Sequence, residues 1–415
     1  MTPPAPLRVL HLPLDTPPTI EPTDAAGVYA VFWLDDVPVG HAVIHAADLP
    51  LPAFAVRERA LQVSAAALHG HLGTGEERPP ATYADLETLP AEGSILDAVR
   101  ERMAAEPAEV PTVSVVVCTR DRPGPLASCL DALSRLDPAP DEILIVDNAP
   151  TTDASRELVA AWPGVRYVCE PTPGLDHARN RGAREATSEI VAYTDDDVAP
   201  HPAWIRGLRR GFAAGADAVT GLVLPAELET EAQWAFERFW GFHRGYRPRT
   251  FGPAYVERTV RYGMPAWELG AGANMAFRRS VFETVGLFDE RLDVGAAGCS
   301  GDSELWYRLL AAGLTCRYEP TAVVHHSHRR TEPELHRQIR AYMSGHTAAL
   351  LVQYERTGHR GNLHRLAVQL PRYYGRRVAR GLVRGFAGRD ATLRTEVSGA
   401  VRGVAYYLRH RRPRS

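Results

Sequence analysis

The sequence predicts an α/β protein with a mixed, mostly parallel sheet that carries helices on both faces. Residues 113–118 form a nearly continuous apolar run, the pattern of a strand buried on both faces. From residue 113 to residue 193, strand-like runs alternate with helical patterns, which implies right-handed βαβ units. The 415 residues are 45% hydrophobic and 23% charged, as in a globular protein of roughly two or three domains.

The composition excludes several classes of chemistry. All 47 basic residues are arginine, so a P-loop lysine, a Schiff base and a kinase-type phosphate lysine are absent. Five scattered cysteines argue against a zinc ribbon or a disulfide framework. No run approaches the roughly 18 apolar residues of a membrane span, and the first residues lack the charged start of a signal peptide. We therefore expect a cytoplasmic protein.

Changes in composition divide the chain into four parts. Residues 1–75 form a small β-rich module with a hairpin around Asp35 and Asp36, and residues 76–111 are a linker rich in Pro, Glu and Ala. Residues 112–330 hold the α/β domain. Residues 331–415 form a basic helical region, and from Arg329 onward there are 19 Arg against 5 acidic residues.

The elements of the α/β domain follow in a regular order. We predict strands at 113–118, 142–146, 165–169 and 190–193, with helices at 125–136, 155–162 and 175–186 between them. Ligands of such sheets bind at the carboxyl ends of the strands. Residues that end these runs are therefore the first candidates for a site.

Polar residues end three of the predicted strands. They are Thr119, Arg120 and Arg122 after the first, Asp147 at the end of the second, and Asp195, Asp196 and Asp197 after the fourth. Three carboxylates suit Mg²⁺, which fills its other positions with water and diphosphate oxygens. By themselves, the three aspartates could also form a solvated turn that caps the helix beginning near Pro202, and Asp147 could be an ordinary loop residue.

These motifs resemble those of the inverting family 2 glycosyltransferases of GT-A fold, over about residues 113–330. Residues 115–120 and 143–148 are similar to the first two strands of the family, and residues 195–197 to its D-x-D metal motif. The resemblance implies that Asp147 meets the nucleobase, that Arg179 in residues 174–182 faces the nucleotide, and that Asp197 binds Mg²⁺ or Mn²⁺. It also implies that Asp195 and Asp196 approach ribose and diphosphate, with Asp195 close to the metal.

The resemblance continues downstream. Residues 272–279 are similar to the sugar-side loop, so Gly272, Asn274 and Trp267 are expected on the sugar and acceptor side. Residues 301–309 resemble the acidic helix start that carries the general base. The usual Glu-Asp pair is Gly301-Asp302 here, and we place the base on Asp302, with Glu304 as the second candidate.

A single carboxylate is expected near residue 302 on chemical grounds as well. Inverting transfer needs a base within hydrogen-bond reach of the acceptor hydroxyl. Asp302 and Glu304 are two positions apart, so they point in different directions on a helix and cannot serve equally. An N-cap for the helix that follows is the alternative role of Asp302.

Histidines and aromatic residues complete the predicted site. His325, His326 and His328 follow a strand-like run, and the resemblance favours His326 as a metal ligand, with His328 second. Residues 232–263 are rich in aromatic side chains and arginine. We interpret this stretch as an acceptor wall, although core packing explains part of it.

The C-terminal region has an amphipathic pattern of its own. Arginines recur every four residues on one face, and apolar residues recur on roughly the opposite face. These are Arg376, Arg380 and Arg384 against Val378, Leu382 and Phe386. This pattern favours peripheral contact with an anionic membrane, at its inner face. The alternatives are a solvated helix packed on the catalytic domain and nucleic-acid binding, and we expect no nucleic acid.

Together these features predict a metal-dependent inverting glycosyltransferase. The donor would be a nucleoside-diphosphate sugar and the acceptor a lipid-linked glycan or a small molecule, in cell-envelope, glycolipid or natural-product glycosylation. One alternative is a sugar nucleotidyltransferase of related fold, which would want a glycine-rich opening loop and lysines that this sequence lacks. The other is a basic binding module without activity.

Overall fold

The computed structural model describes residues 4–73, 95–105 and 110–411. The N-terminal module contains β1 (Leu7–Pro13), β2 (Gly27–Leu34), β3 (Val37–His45), α1 (Ala53–Leu72) and α2 (Ile95–Ala104). Strand β2 pairs in parallel with β1 and antiparallel with β3. The turn between β2 and β3 holds Asp35 at a φ of 52°, in the left-handed region that aspartate tolerates.

Much of the predicted linker lies outside the described residues, namely 76–94 and 106–109. The part that is described does not behave as a linker. Ile95 and Val99 of α2 are buried in the same hydrophobic core as β2 and α1. Arg100 of α2 makes ion pairs with Asp15 and Asp35. This helix is therefore part of the N-terminal module.

The rest of the chain forms the α/β domain and the C-terminal helices. The domain runs through β4 (Val113–Thr119), α3 (Pro123–Leu133), β5 (Glu142–Asn148), α4 (Ala154–Ala160), β6 (Val165–Glu170), α5 (Leu175–Glu185), β7 (Ile190–Asp195), β8 (Val198–Pro200), α6 (Trp204–Ala213), β9 (Ala218–Pro225), α7 (Glu231–Trp240), β10 (Arg249–Phe251), α8 (Pro253–Thr259), β11 (Asn274–Arg278), α9 (Arg279–Val285), α10 (Gly301–Ala311) and β12 (Cys316–His326). The C-terminal region contains α11 (Glu332–Thr357), α12 (Gly361–His364), α13 (Leu370–Arg384) and α14 (Leu393–His410).

The mixed sheet has the order β10-β12-β9-β11-β7-β4-β5-β6, and β8 pairs with β12. Strands β7, β4, β5 and β6 are parallel. Strand β11 is antiparallel to both β7 and β9, and β12 is parallel to β9. The carboxyl ends of β4, β5, β7 and β12 therefore meet at one edge of the sheet.

Two hydrophobic layers cover the faces of this sheet. All residues of β4 are buried, and its side chains alternate between the layers. Val115 and Val117 pack in the layer that contains residues of α3 and α6. Val116 packs in the layer that contains residues of α5 and α10. Helices thus lie on both faces, and the predicted fold class is confirmed.

The C-terminal helices pack on the α/β domain and on one another. Helix α11 contacts α10, and α14 lies along α11. The inner side of α13 buries Arg377, which makes ion pairs with Asp390 and Glu396. Within residues 4–73, 95–105 and 110–411, no helix combines the length and apolarity that crossing a membrane requires.

Candidate active site

A cavity of about 1160 Å³ opens at the edge where the strands β4, β7 and β12 end. Many of the predicted site residues line it, namely Thr119, Arg120, Arg122, Arg179, Asp195, Asp196, Asp197, Trp267, Gly272, Asp302 and His326. The structure therefore brings together side chains from residue 119 to residue 326. Asp147, Asn274 and Glu304 are not part of the lining.

The three aspartates after β7 are held by groups from other segments. Asp196 accepts a hydrogen bond of 2.7 Å from the Thr119 hydroxyl at the end of β4. The Arg122 guanidinium bridges Asp196 and Asp197, at 3.1 Å from Asp197 Oδ2. Burial raises the pKa of Asp195 to about 7 and that of Asp196 to about 6, and the neighbouring carboxylate charges add to this effect.

Asp197 differs from its two neighbours because cations surround it. Burial alone would raise its pKa, but electrostatic interactions with His326, Arg122 and Arg329 hold it below its usual value. Arg329 Nη1 lies 3.3 Å from Asp197 Oδ2. The other oxygen, Oδ1, faces His326 Nε2 at 3.7 Å. Of the three aspartates, Asp197 is therefore the one whose pKa is lowered.

The donor set at Asp197 and His326 fits a divalent cation. Two atoms that each lie about 2.1 Å from one ion are at most about 4.2 Å apart, and the 3.7 Å between Oδ1 and Nε2 is within that limit. In the described part of the chain, no group of three or more His, Cys, Asp and Glu residues could hold a metal. Asp197 and His326 alone would leave coordination positions on the ion for water and phosphate oxygens.

Asp302 also lines the cavity, from the first turn of α10. Its Oδ1 accepts hydrogen bonds from the Ser303 amide at 2.6 Å and the Ser303 hydroxyl at 3.2 Å. Burial, together with the negative charge of Asp293, raises the pKa of Asp302, and Arg179 opposes this increase. A raised pKa makes the ionised carboxylate a stronger base, which suits a group that accepts a proton.

Gly272 separates Asp302 from Arg179. A Cβ atom at residue 272 would be 2.9 Å from Arg179 Nη2 and 3.0 Å from Asp302 Oδ2. Arg179 Nη1 is held by Asp293 at 2.6 Å and by Asp176 at 3.1 Å. These contacts fix the guanidinium, and Nη2 is left facing the loop that contains Gly272.

Two predicted site residues have structural roles instead. Glu304 is fully buried, and both its oxygens accept from Arg308 Nε, at 2.8 and 2.9 Å. It cannot reach an acceptor, so the prediction of Glu304 as the second candidate base is wrong. The side chain of Asn274 accepts from Trp204 Nε1 and donates to two backbone carbonyls. It links strands inside the core, and its predicted sugar-side role is wrong.

Asp147 and the histidines are also distinguished by their contacts. Asp147 is fully buried and accepts a 3.0 Å hydrogen bond from Tyr167. Its neighbour Asn148 lines the cavity, and Asp147 does not. His325 points away from the cavity, with Nδ1 3.3 Å from the Ala199 carbonyl oxygen. His328 lies behind His326 and does not line the cavity. Of these three histidines, only His326 lines the cavity.

The far wall of the cavity comes largely from residues that the sequence did not identify as site residues. Arg365 stacks on Trp267 at 4.1 Å, and His346 meets the same ring edge-on. Helices α11 and α13 also contribute Gln338, Tyr342, Tyr373 and Tyr374. Of the predicted aromatic stretch 232–263, Trp240 and Phe242 line the cavity. Arg329 was missed although it adjoins the histidine cluster, a signal that could have identified it.

Comparison with known proteins gives a family match for part of the chain. Residues 114–286 match the family model described as glycosyl transferase family 2. The chain is 29% identical over 249 residues to the pre-mycofactocin glycosyltransferase of Mycobacterium tuberculosis, covering 58% of this chain and 48% of that protein. It is 29% identical over 184 residues to the glucosyl-dolichyl phosphate glucuronosyltransferase of Haloferax volcanii, covering 43% and 56%. The chain thus spans about half the length of these relatives.

A solved structure is also similar. The mannosyltransferase of Pyrobaculum calidifontis, in complex with GDP-Man and Mn²⁺, is 18% identical with a TM-score of 0.46, covering 84% of this chain and 97% of that one. The family match agrees with the predicted resemblance to family 2 glycosyltransferases over residues 114–286.

Proposed function

We propose that this chain is a metal-dependent inverting glycosyltransferase, because residues 114–286 match the model of glycosyl transferase family 2. The donor is a nucleoside-diphosphate sugar and the acceptor is an alcohol. One observation carries the proposal: Asp197 and Asp302, more than a hundred positions apart, line the same cavity. Each has the protonation behaviour that its role needs, since the pKa of Asp197 is lowered and that of Asp302 is raised.

Binding of the donor would depend on arginine side chains and on one bound divalent cation. Asp197 and His326 would hold Mg²⁺ or Mn²⁺, with Asp195 close by, and the ion would neutralise charge on the departing diphosphate. Arg122 keeps Asp196 and Asp197 in place. Arg179 is anchored through Nη1 and presents Nη2 beside Gly272, so it can bind an anionic donor.

The acceptor side depends on Asp302. Ser303 occupies Oδ1, so Oδ2, which lies beside Gly272, is the oxygen that takes the acceptor proton. As that proton leaves, the acceptor oxygen bonds to the anomeric carbon, and the bond from that carbon to the diphosphate oxygen breaks. The products are an inverted glycoside, a nucleoside diphosphate and protonated Asp302. Trp267 forms an aromatic wall on which a sugar acceptor can stack.

The direct test is product formation from a panel of sugar nucleotides with Mn²⁺. We expect release of a nucleoside diphosphate and a glycoside of opposite anomeric configuration, identified by NMR. Asp302→Asn should lower kcat by about 10²- to 10⁴-fold, since it removes the base. Asp131→Asn, at an exposed surface ion pair, is the matched control. Unchanged transfer in Asp302→Asn would refute the base assignment, and pyrophosphate release from a nucleoside triphosphate would favour the nucleotidyltransferase alternative.

We also propose that α13 contacts an anionic membrane, which would suit a lipid-linked acceptor. The helix contains no acidic residue. Its outer surface exposes Leu382 and Val383 by 75% and 83%, next to exposed Arg380 and Arg384. Exposed apolar and basic side chains on one helix match a surface with anionic headgroups above an acyl layer. Tyr374, on the inner side of the same helix, lines the cavity together with its exposed neighbour Tyr373.

Vesicle flotation tests this membrane contact. The chain should float with phosphatidylglycerol vesicles and not with phosphatidylcholine vesicles. Leu382→Glu combined with Val383→Glu should abolish flotation, because two carboxylates oppose both the apolar and the electrostatic attraction. Phe54→Glu changes an equally exposed apolar residue on α1 and should have no effect. Equal flotation of both variants would contradict the proposal.

A further inference from the structure

Behind His326, a line of buried polar side chains leads away from the cavity. His326 Nδ1 lies 3.0 Å from His328 Nδ1, and His328 Nε2 lies 3.0 Å from Glu237 Oε2 in α7. All three side chains are almost fully buried. The proposed ligand atom, His326 Nε2, is at the other end of the line, facing Asp197.

For neutral rings, the hydrogen bonds in this line define where each proton lies. The Glu237 carboxylate can only accept, so His328 Nε2 must carry a proton. In a neutral His328 the Nδ1 atom is then the acceptor, which requires the proton between the two rings to belong to His326 Nδ1. A neutral His326 protonated on Nδ1 has its lone pair on Nε2. That is the atom that faces Asp197.

Aromatic side chains pack against both histidines of the line. Phe236 packs against His328 at 4.7 Å, and Phe242 packs edge-on against His326 at 5.4 Å. Hydrogen bonds in such apolar surroundings are stronger than in water. The second oxygen of Glu237 lies 3.5 Å from the Tyr29 hydroxyl in β2. The N-terminal module thus contacts the last member of the line.

We propose that Glu237 and His328 are positioning residues that hold His326 in the tautomer able to bind the cation. The inference rests on the proposed function, since that function assigns the cation to Asp197 and His326. The proposal assigns a role to residues that lie outside the cavity. It also connects the N-terminal module to the cation site, through the contact between Tyr29 and Glu237. Partners that orient a ligating histidine typically change metal affinity by about 10- to 100-fold when they are replaced.

Two measurements on the full chain test this proposal. Two-bond ¹H–¹⁵N spectra of protein labelled with ¹⁵N-histidine report the tautomer without any metal, and we expect His326 to be protonated on Nδ1. A Mn²⁺ titration followed by EPR reports affinity for the metal alone. His328→Phe keeps an aromatic ring but removes both nitrogens, and it should raise the Mn²⁺ Kd by about 10- to 100-fold.

Two further variants make the outcome specific. Glu237→Gln is nearly isosteric, but its amide can donate as well as accept, so we expect a mixture of His326 tautomers and an intermediate loss of affinity. It also serves if His328→Phe fails to fold. His325→Phe is the matched control, because His325 is a partly buried histidine in the same segment and faces the Ala199 carbonyl instead. Its Mn²⁺ affinity should equal that of the unmodified chain.

The proposal is overturned if His326 carries its proton on Nε2, or if both His328→Phe and Glu237→Gln leave the tautomer and the Mn²⁺ affinity unchanged. Failure of the proposed function gives a different result. A chain that binds no Mn²⁺ and transfers no sugar refutes the metal-dependent transferase, whereas the tautomer of His326 still reports on the hydrogen-bonded line itself.

Discussion

Gly272→Ala should reduce turnover by about tenfold without disrupting the fold. The new Cβ atom would lie 2.9 Å from Arg179 Nη2 and 3.0 Å from Asp302 Oδ2, whereas ordinary contacts begin at 3.4 Å. One or both side chains must therefore move by about 0.5 Å. A misplacement of about 1 Å can cost about 100-fold in rate, so half of that distance corresponds to about tenfold.

The assay is steady-state release of nucleoside diphosphate, with thermal unfolding of the same samples. Gly124→Ala is the matched control, because nothing lies within 4 Å of a Cβ atom at that position. It should match the unmodified chain in turnover and stability. Because both affected groups have proposed roles at the reacting atoms, kcat should fall more than the donor KM rises. Full activity in Gly272→Ala would show that Arg179 and Asp302 do not act together across this loop.

Three further perturbations follow from the same contacts. Burial raises the pKa of Asp302, and the negative charge of Asp293 raises it further. Asp293→Asn removes that charge and should lower the pKa of Asp302. Because the ionised form is the active base, the acid limb of kcat/KM should move to lower pH in a pH–rate profile. Trp267→Ala should raise the acceptor KM by roughly 2- to 10-fold and leave the donor KM unchanged, which initial rates would show. Asp289→Asn should destabilise the fold by about 3 kcal/mol in urea unfolding at neutral pH, since it breaks buried pairs with Arg291 and Arg356.

The pH dependence of the Asp289 variant has a definite sign. Burial would raise the pKa of Asp289, but hydrogen bonds and charge from Arg291 and Arg356 hold it well below its usual value. A carboxyl whose pKa is lowered on folding stabilises the protein above its unfolded pKa of about 3.9, and the contribution declines as the pH falls further. The stability difference between Asp289→Asn and the unmodified chain should therefore shrink below about pH 4. A difference independent of pH would contradict this.

The sheet and the donor side could be predicted because their signals are local in the sequence. A short, continuous apolar run such as that of β4 is typical of a strand that is buried on both faces. Once that strand is placed, the polar residues that end β4 and β7 must meet at one edge. This is why Thr119 and Asp196, 77 positions apart, were both predicted and are in contact.

It was harder to predict which way a side chain points than to predict that its residue belongs to a motif. Glu304 lies in the motif of the proposed base, but its side chain turns toward Arg308, four positions later on the same helix. That spacing is a signal for an ion pair, and it was available in the sequence. Asn274 begins β11, and whether it faces the core or the cavity depends on the register with β7, which only the folded structure defines.

The C-terminal helix α13 shows why an amphipathic pattern alone does not reveal a packing face. The apolar positions Val378 and Leu382 could equally have packed on the domain, and instead they are exposed by 40% and 75%. The inner face consists of Tyr374, Arg377 and Gly381, a set with no hydrophobic periodicity. Arg377 is buried there because Asp390 and Glu396 neutralise it, and those residues follow the helix in sequence.

Gly301 shows how a departure from a family pattern can be explained only in three dimensions. A Cβ atom at that position would be 2.1 Å from Asp176 Oδ2, so a side chain at residue 301 and the Asp176 carboxylate exclude each other. The resemblance leads us to expect an acidic side chain at residue 301. In this chain, the carboxylate of Asp176 in α5 occupies the space that such a side chain would fill. Asp302 keeps its place in the first turn of α10. The missing glutamate therefore does not weaken the assignment of the base, because its volume is occupied by an acid from elsewhere in the chain.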